Sequence, residues 1–493
     1  ARKLGLEALL DAQPSRQRGL VVAMVVGRVL QPASKLAASR LLDTTSLGET
    51  LGVDSAAEDE LYAALDWLVA RQEQIEQRLS ERYLRPGGVA LYDLTSVYVE
   101  GERCDLAKLG YSRDGKLKAQ VEFGLLTNGE GAPAAIEAFA GNTGDQATFQ
   151  AQERKVRERF GVGEVVWVAD RGMLTSAQVA QLQQVMGAHW ITALRAPTIQ
   201  QLVEAGSIQL SFFDKQNLAE VTDPRYPGER LVVCHNPLLA ERRARKREDM
   251  LMATERDLAK VATRVERGAR GGRGRIRGAA AIGERVGRVV NKYQMAKHFT
   301  WTITEAAFAW ARNERSIGEE AALDGLYVLR TNVAAERLDS AGVALAYKSL
   351  AHVEQAFRRF KLSDLEVRPV YHYREARVRA HLLLCMLAYW VQREMQWALA
   401  PLLFVDEMPP ERADPVAPAP RSSGAVCKDR GQRTAEGFPV HSFRTLLATL
   451  ATVVKNWAAP RGADATVVFH LFTEPTPLQQ RAFDLLGVQP GCL

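Results

Sequence analysis

Hydrophobic positions change period along the chain, and the changes outline its elements. Up to about residue 86 the spacing is helical, and the runs Leu20–Leu30, Ala33–Leu42 and Ala56–Tyr83 predict helices, the last opened by Ser55 as N-cap. Arg85-Pro86-Gly87-Gly88 ends that period. The β-branched and aromatic run Val89–Val99 predicts a strand, and the alternation over Leu117–Leu126 predicts a second. Thr127-Asn128-Gly129-Glu130-Gly131 reads as a hairpin turn into a third strand over Pro133–Ala140. A helix over about Asp145–Phe160, a strand Glu164–Ala169, a helix Ser176–Met186, a strand His189–Leu194 and a helix Thr198–Ala205 follow. This order predicts an α/β fold, a mixed sheet flanked by helices.

From 208 to 342 the alternation is lost. Leu231–Cys234 reads as a strand, Leu239–Arg267 as a long charged helix, and Val289–Phe299, Thr300–Thr304 and Gly325–Thr331 as strands, together an α+β insertion subdomain. A helix over Val343–Phe360 and a strongly apolar one over Arg374–Trp397 come next, then a Pro-rich stretch to about 439 read as a linker, and a helix Ser442–Val454. The expected organisation is a helical amino-terminal domain (1–86), the first part of a catalytic core (87–207), a basic insertion (208–342), the second part of the core (343–400), and a Pro-rich linker with a helical carboxyl-terminal region (401–493). The amino-terminal helices carry no helix-turn-helix signature, so a DNA-binding module and a plain helical platform both fit.

Charge sharpens this picture in one place. The whole chain has 64 Lys and Arg against 58 Asp and Glu, whereas residues 241–290 alone have 15 against 7. The excess is concentrated there, and the loop Arg267–Gly278 holds Arg270, Arg273, Arg275 and Arg277 without an acid, which suits phosphate contact. Five scattered cysteines without a C-x-x-C pair support neither a disulfide framework nor a zinc site, and a reducing cytosol fits them. The apolar runs Leu20–Leu30 and Leu382–Val391 are short for a membrane span and read as buried helices. Gly110–Leu117 nearly spells a P-loop, but Leu117 stands where Ser or Thr should bind Mg²⁺, and a strand follows where a helix is needed.

Three acids carry the candidate chemistry. Asp93 lies inside the first strand, a poor place for an acid unless the strand is an edge with that face in water. Asp170 ends the fourth strand, where α/β sheets place ligand groups. Glu354 lies on the 343–360 helix, on a face with Tyr347, Leu350, Arg358 and Lys361, while Val353, Phe357 and Phe360 form its apolar stripe. Alone, that face reads better as a solvated salt-bridge stripe, and only Asp93 and Asp170 upstream turn the reading toward a site. Three clustered carboxylates need cations to stay ionised together, which implies two Mg²⁺ or Mn²⁺ ions and phosphodiester chemistry. His372 and His381 are expected to be structural.

At these residues the chain resembles the DDE transposases of bacterial insertion sequences, in the insertion-sequence-four type group. That group's signature is Tyr, two residues, Arg, three residues, Glu, six residues, Lys; Tyr347, Glu354 and Lys361 fall in register, and Leu350 replaces the Arg. Tyr92-Asp93-Leu94-Thr95-Ser96 and Ala169-Asp170-Arg171-Gly172 resemble the first two acid motifs, and the 184 positions from Asp170 to Glu354 resemble the long insertion between core halves. The resemblance spans about 88–395 and implies a ribonuclease-H-like core with Asp93, Asp170 and Glu354 as metal ligands. Tyr347 and Lys361 would then hold DNA phosphates, Arg358 could stand in for the missing Arg, and Arg171 would contact DNA or pair with Asp170. It further implies double-stranded DNA partners (terminal inverted repeats and a target), a homodimer on DNA, and a place in the bacterial cytoplasm at the nucleoid. A transposase-derived protein that binds DNA without cutting it, and a nuclease of the same fold, are the alternatives.

Overall fold

The computed structural model describes residues 1–110, 118–213, 216–269, 276–361, 364–412, 414–458 and 469–489. The chain opens with helices α1 (Leu6–Leu10), α2 (Arg16–Leu30), α3 (Lys35–Thr44), α4 (Ser46–Leu51), α5 (Glu58–Val69) and α6 (Gln72–Tyr83). The helix expected over Ala56–Tyr83 is thus two. It breaks at Ala70-Arg71, where Arg71 lies over the Trp67 ring and pairs with Asp11 at 2.8 Å. Ser55 is not the cap, because its φ is +54°; Ala57 takes that position, and the Glu60 carboxylate accepts the Ala57 N–H at 3.2 Å.

The central sheet begins with β1 (Val89–Tyr98), β2 (Gln120–Asn128) and β3 (Pro133–Ala140). Then come α7 (Asp145–Arg154) with a π-helical turn, β4 (Val165–Val168), α8 (Ser176–Leu182), β5 (Ala188–Ala193), α9 (Ala196–Glu204), β6 (Leu218–Val221) and β7 (Arg230–His235). Helices α10 (Pro237–Ala269) and α11 (Ala279–Tyr293), the hairpin of β8 (Phe299–Ile303) and β9 (Phe308–Arg312), and α12 (Glu314–Ala321) precede β10 (Leu326–Thr331). The strand expected over Val289–Phe299 is therefore largely helix. Ile282, Val286 and Val290 are all buried at a spacing of four, the helical period.

Eight strands share one sheet in the order β3-β2-β1-β4-β5-β10-β7-β6, with β1, β4 and β5 parallel and the other pairings antiparallel. Strands β6, β7 and β10 come from 208–342, so that region extends the sheet as well as leaving it. What projects is α10 to α12 with the β8–β9 hairpin, which has a core of its own around Leu251, Leu258, Val261, Ile282, Val286 and Phe299. Of the four arginines in the Gly/Arg loop only Arg277 is described; Arg270, Arg273 and Arg275 lie outside the described residues, as does most of the near-P-loop segment.

Beyond β10 run α13 (Ser340–Lys348), α14 (Leu350–Lys361) and α15 (Glu375–Ala398). The helix expected over 343–360 is interrupted at Ser349, whose side chain bonds back to the Ala346 carbonyl at 2.6 Å. α15 is buried along most of its length because α2, α5 and β3 surround it, so the amino-terminal helices share one apolar core with the sheet. Arg28 of α2 reinforces this junction by donating to the carbonyls of Leu365 and Glu366 at 3.0 and 3.2 Å. The stretch expected as a linker contains α16 (Ser423–Gly431), capped by Ser422; its Lys428 is buried and donates to the Ala400 and Leu403 carbonyls. Helix α17 (Phe443–Leu450), the hairpin of β11 (Lys455–Ala458) and β12 (Phe469–Phe472), and α18 (Pro477–Leu486) end the described chain. No single described helix is long and apolar enough to cross a membrane.

Candidate active site

Strand β1 lies between β2 and β4, so Asp93 is on an interior strand and the edge-strand reading is excluded. In the parallel β1–β4 register Leu91 faces Val168, the last pair; Asp93 lies two residues further along β1 and Asp170 two residues past Val168, in the turn that follows β4. Side chains alternate between faces. Leu91, Val166 and Val168 enter the core beneath α14, whereas Ala90, Tyr92, Leu94, Trp167 and Ala169 enter the core on the opposite face. By the same alternation Asp93 and Asp170 belong to the α14 side. The backbone at β2 is fitted to this arrangement: a Cβ on Gly124 would collide with the Tyr92 ring, so only glycine leaves room for that side chain.

Helix α14 is seated by Val353, Ala356, Phe357 and Phe360, all buried. Phe357 meets Phe123 of β2 edge-on at 5.6 Å between ring centroids, and Phe360 lies tilted against the same ring at 5.8 Å. Glu354 sits on the outward side, 62% exposed, with Arg358 at 3.6 Å one turn on. Tyr347 is on α13, across the Ser349 break from Glu354, and is part-buried. Leu350 is part-buried and packs against the main core. Lys361 closes α14, where its carbonyl accepts from Arg368.

The main chain holds both aspartates. Oδ1 of Asp170 accepts the N–H groups of Gly172 and Met173, each at 2.9 Å, and Oδ1 of Asp93 accepts its neighbour Leu94 N–H at 2.8 Å. Arg171 is exposed and makes no ion pair among the described residues, so the pairing with Asp170 does not occur. The group that brings the set together electrostatically is the Tyr347 phenol. Its pKa is pushed up to about 12, first by burial and then by the negative charges of Asp170, Glu354 and Asp93, with Arg171 acting the other way.

As donors, three carboxylates suit a hard divalent cation. As placed, they are not yet a closed cage. Among the described residues no three His, Cys, Asp or Glu side chains stand close enough to hold one ion together, and Glu354 is turned to Arg358. By donor chemistry Asp93 and Asp170 suit such an ion, and Glu354 could join them only by leaving Arg358.

A groove of about 910 Å³ opens beside Asp170, Arg171 and Tyr347 and runs along α9, α10 and α12. A second of about 420 Å³ adjoins Asp170 and Arg171 on the side of Arg195 and Pro197. Sequence reasoning missed Arg195, Arg243 and Lys246, which line these grooves. Arg195 had a signal, because Leu194-Arg195-Ala196 follows β5 as Ala169-Asp170-Arg171 follows the parallel neighbour β4. Arg243 and Lys246 had none that separated them from the other charges of α10. His372 and His381 are remote from this chemistry. Burial depresses both, His372 to about 4, and His381 shares a hydrogen bond with the Val367 carbonyl at 3.0 Å.

The family described as transposase DDE domain matches residues 85–391, from just before β1 into α15. The chain belongs to the DDE transposase family. Its sheet, with the antiparallel β1–β3 and the parallel β1, β4 and β5, is therefore a ribonuclease-H-like fold, and its substrate is DNA. No curated protein matches the chain.

Proposed function

We propose that this DDE transposase cleaves DNA at the terminal inverted repeats of an insertion sequence and joins the ends to target DNA, with Asp93, Asp170 and Glu354 as its catalytic carboxylates. The observation that carries the proposal is that Asp170, Glu354 and Asp93 all act electrostatically on the part-buried Tyr347 phenol, with Asp93 on β1 and Asp170 just past the end of its parallel neighbour β4. Held by these carboxylates, two Mg²⁺ or Mn²⁺ ions would activate the attacking oxygen and stabilise the leaving one. The chain's own contribution is placement. The β1 and β4 backbones fix the two aspartates, and α14 delivers Glu354 after release from Arg358. An exposed i,i+4 pair of this kind is worth ~0.3–0.5 kcal/mol, so release costs little and frees Arg358 for a DNA phosphate. Tyr347 stays protonated at neutral pH and can donate a hydrogen bond to a phosphate oxygen, Arg171 and Lys361 add charge on either side, and two copies assemble on the paired ends.

The test combines purified protein with labelled DNA from both flanks of its gene, a supercoiled target and Mg²⁺. Joined product supports the proposal, cleavage without joining leaves a nuclease, and binding alone leaves a DNA-binding descendant. Leu350, packed on the core where relatives of the insertion-sequence-four type carry Arg, is the one observation that favours the last reading. Glu354→Gln keeps DNA binding and loses cleavage; a variant that still cuts at a comparable rate refutes the site. For the Gly/Arg loop, neutralising Arg270, Arg273, Arg275 and Arg277 flattens the salt dependence of DNA binding, and an unchanged slope removes the loop from the interface.

A further inference from the structure

Ion pairing separates the basic residues that build the groove from those that face its occupant. Arg247 is buried and committed to Asp324 at 3.0 Å, Lys297 is held by Glu320, and Glu319 is taken by Arg315. The groove's acids on α12 and after it are thereby neutralised within the wall. Arg195, Arg171, Arg243 and Lys246 are all exposed, and none makes an ion pair among the described residues. They are not scattered. Arg195 and Arg171 line the smaller groove, and Arg171, Arg243 and Lys246 line the larger, with Asp170 common to both. Four uncompensated cations along one concave path concentrate positive potential where a polyanion enters.

We infer that these four side chains form a phosphate track for one DNA strand, running from Arg195 past Arg171 and Asp170 to Arg243 and Lys246 on the first turns of α10. This rests on the transposase reading of the Asp170 site and adds to it the path of the substrate. The volume of the larger groove falls within the ~300–1,000 Å³ of an ordinary ligand site, so it receives a strand's backbone and leaves the duplex outside. Residues 243 and 246 are three apart and therefore share a helix face, while Arg242 and Arg245 line neither groove. It follows that the projecting insertion touches DNA at the root of α10, next to the site. Lys246 and the end of α10 are 23 residues apart, roughly 35 Å of helix, so this contact is separate from any made by the Gly/Arg loop.

The experiment measures binding of a fluorescein-labelled DNA duplex of arbitrary sequence by anisotropy, over a series of KCl concentrations without divalent ions, for the full chain. Arg243→Gln/Lys246→Gln is expected to reduce the slope of log K against log salt by about 1.8, two phosphate contacts at ~0.9 each, and Arg171→Gln/Arg195→Gln by a similar amount. Arg242→Gln/Arg245→Gln, on the same helix but lining neither groove, keeps the wild-type slope. An unchanged slope in the Arg243/Lys246 variant, or an equal fall in the Arg242/Arg245 variant, overturns the track. A wild-type chain that does not bind DNA at all would instead defeat the underlying functional reading. Because all six side chains are exposed, matching circular dichroism spectra are expected, and a variant with altered secondary structure is replaced by the single Lys246→Gln, whose expected slope change is about 0.9.

Discussion

Phe357→Ala tests whether α14, and with it Glu354, is seated as described. Phe357 is 6% exposed and packs edge-on against Phe123, so its truncation removes a buried ring, leaves a cavity and loses an aromatic pair. Buried Phe→Ala changes cost ~3–5 kcal/mol, of which the ring pair beyond simple burial is ~0.5–1.5 kcal/mol. A double-mutant cycle isolates the second part. Phe357→Leu and Phe123→Leu roughly conserve volume and each should cost less than ~1.5 kcal/mol, with a coupling of ~0.5–1.5 kcal/mol between them. Urea unfolding followed by tryptophan fluorescence is a suitable assay, because Trp167 on β4 and Trp190 on β5 are buried in the core on the other face of the same sheet and report its global unfolding. Hydrogen exchange over 350–361 should rise in the Ala variant and stay low in the Leu variant. A loss below ~1 kcal/mol for Phe357→Ala, or a coupling indistinguishable from zero, would show that α14 does not rest on β2 through this pair.

Gly124→Ala should destabilise the sheet by ~1–3 kcal/mol through overpacking against Tyr92, and in a cycle with Tyr92→Ala the two losses should be less than additive in the same urea assay. Glu229→Ala leaves the Arg330 guanidinium, 8% exposed and bonded to Glu229 at 2.6 Å, buried without its partner; a loss of ~3–5 kcal/mol is expected, and Glu229→Ala/Arg330→Met should be milder than Glu229→Ala alone. Lys35 is buried among Arg28, His372, His381 and Cys385, and burial followed by the Arg28 charge pushes it down to about 7. Between about pH 7 and an ordinary lysine value of ~10.4 the unfolded chain binds the extra proton, so stability rises with pH across that window. Lys35→Met should abolish the rise and stabilise the protein below pH 7; a wild-type urea midpoint flat across the window would refute the assignment.

The strands were legible because their signals are local. Val89–Val99, Pro133–Ala140 and His189–Leu194 alternate or carry β-branched runs, and each is a strand within a residue or so of its expected bounds. Asp93 was legible for the opposite reason: an acid inside an apolar strand contradicts local propensity, and such conflicts gather at functional sites. What local pattern could not show is which face of which helix meets a groove. The charges of α10 look alike in sequence, and only their partners across the fold divide them into wall and lining: Asp324 for Arg247, and for Arg243 the Leu326 carbonyl but no acid among the described residues. The break at Ser349 was also hidden, since the residues on both sides are good helix formers and the apolar stripe runs through it. Val289–Phe299 misled because β-branched Val289 and Val290 fall near the end of an amphipathic helix whose apolar face is covered by a separate element, α10.

The separation of Asp170 from Glu354 by 184 positions follows from where the insertion meets the sheet. β7 ends at His235, and β10 begins at Leu326, which is paired with that same His235 in antiparallel register. The chain therefore leaves the sheet and returns to it at one point, and everything from α10 to α12 is held by both ends at a fixed spot beside β5. Loop-closure entropy grows only as the logarithm of length, ~0.6 kcal/mol per doubling, so the size of what projects has little bearing on whether β10 re-enters. Re-entry is what positions the third acid. β10 runs back against β5, α13 crosses β5, β6, β7 and β10, and α14 then lands on β1, the strand of Asp93. The same closure explains why the root of α10, and not its far end, lies beside Asp170: the insertion's first turns start from β7, with β5 and β10 between it and the β4 strand that leads into Asp170, so the lining of the groove by Arg243 and Lys246 is a consequence of topology.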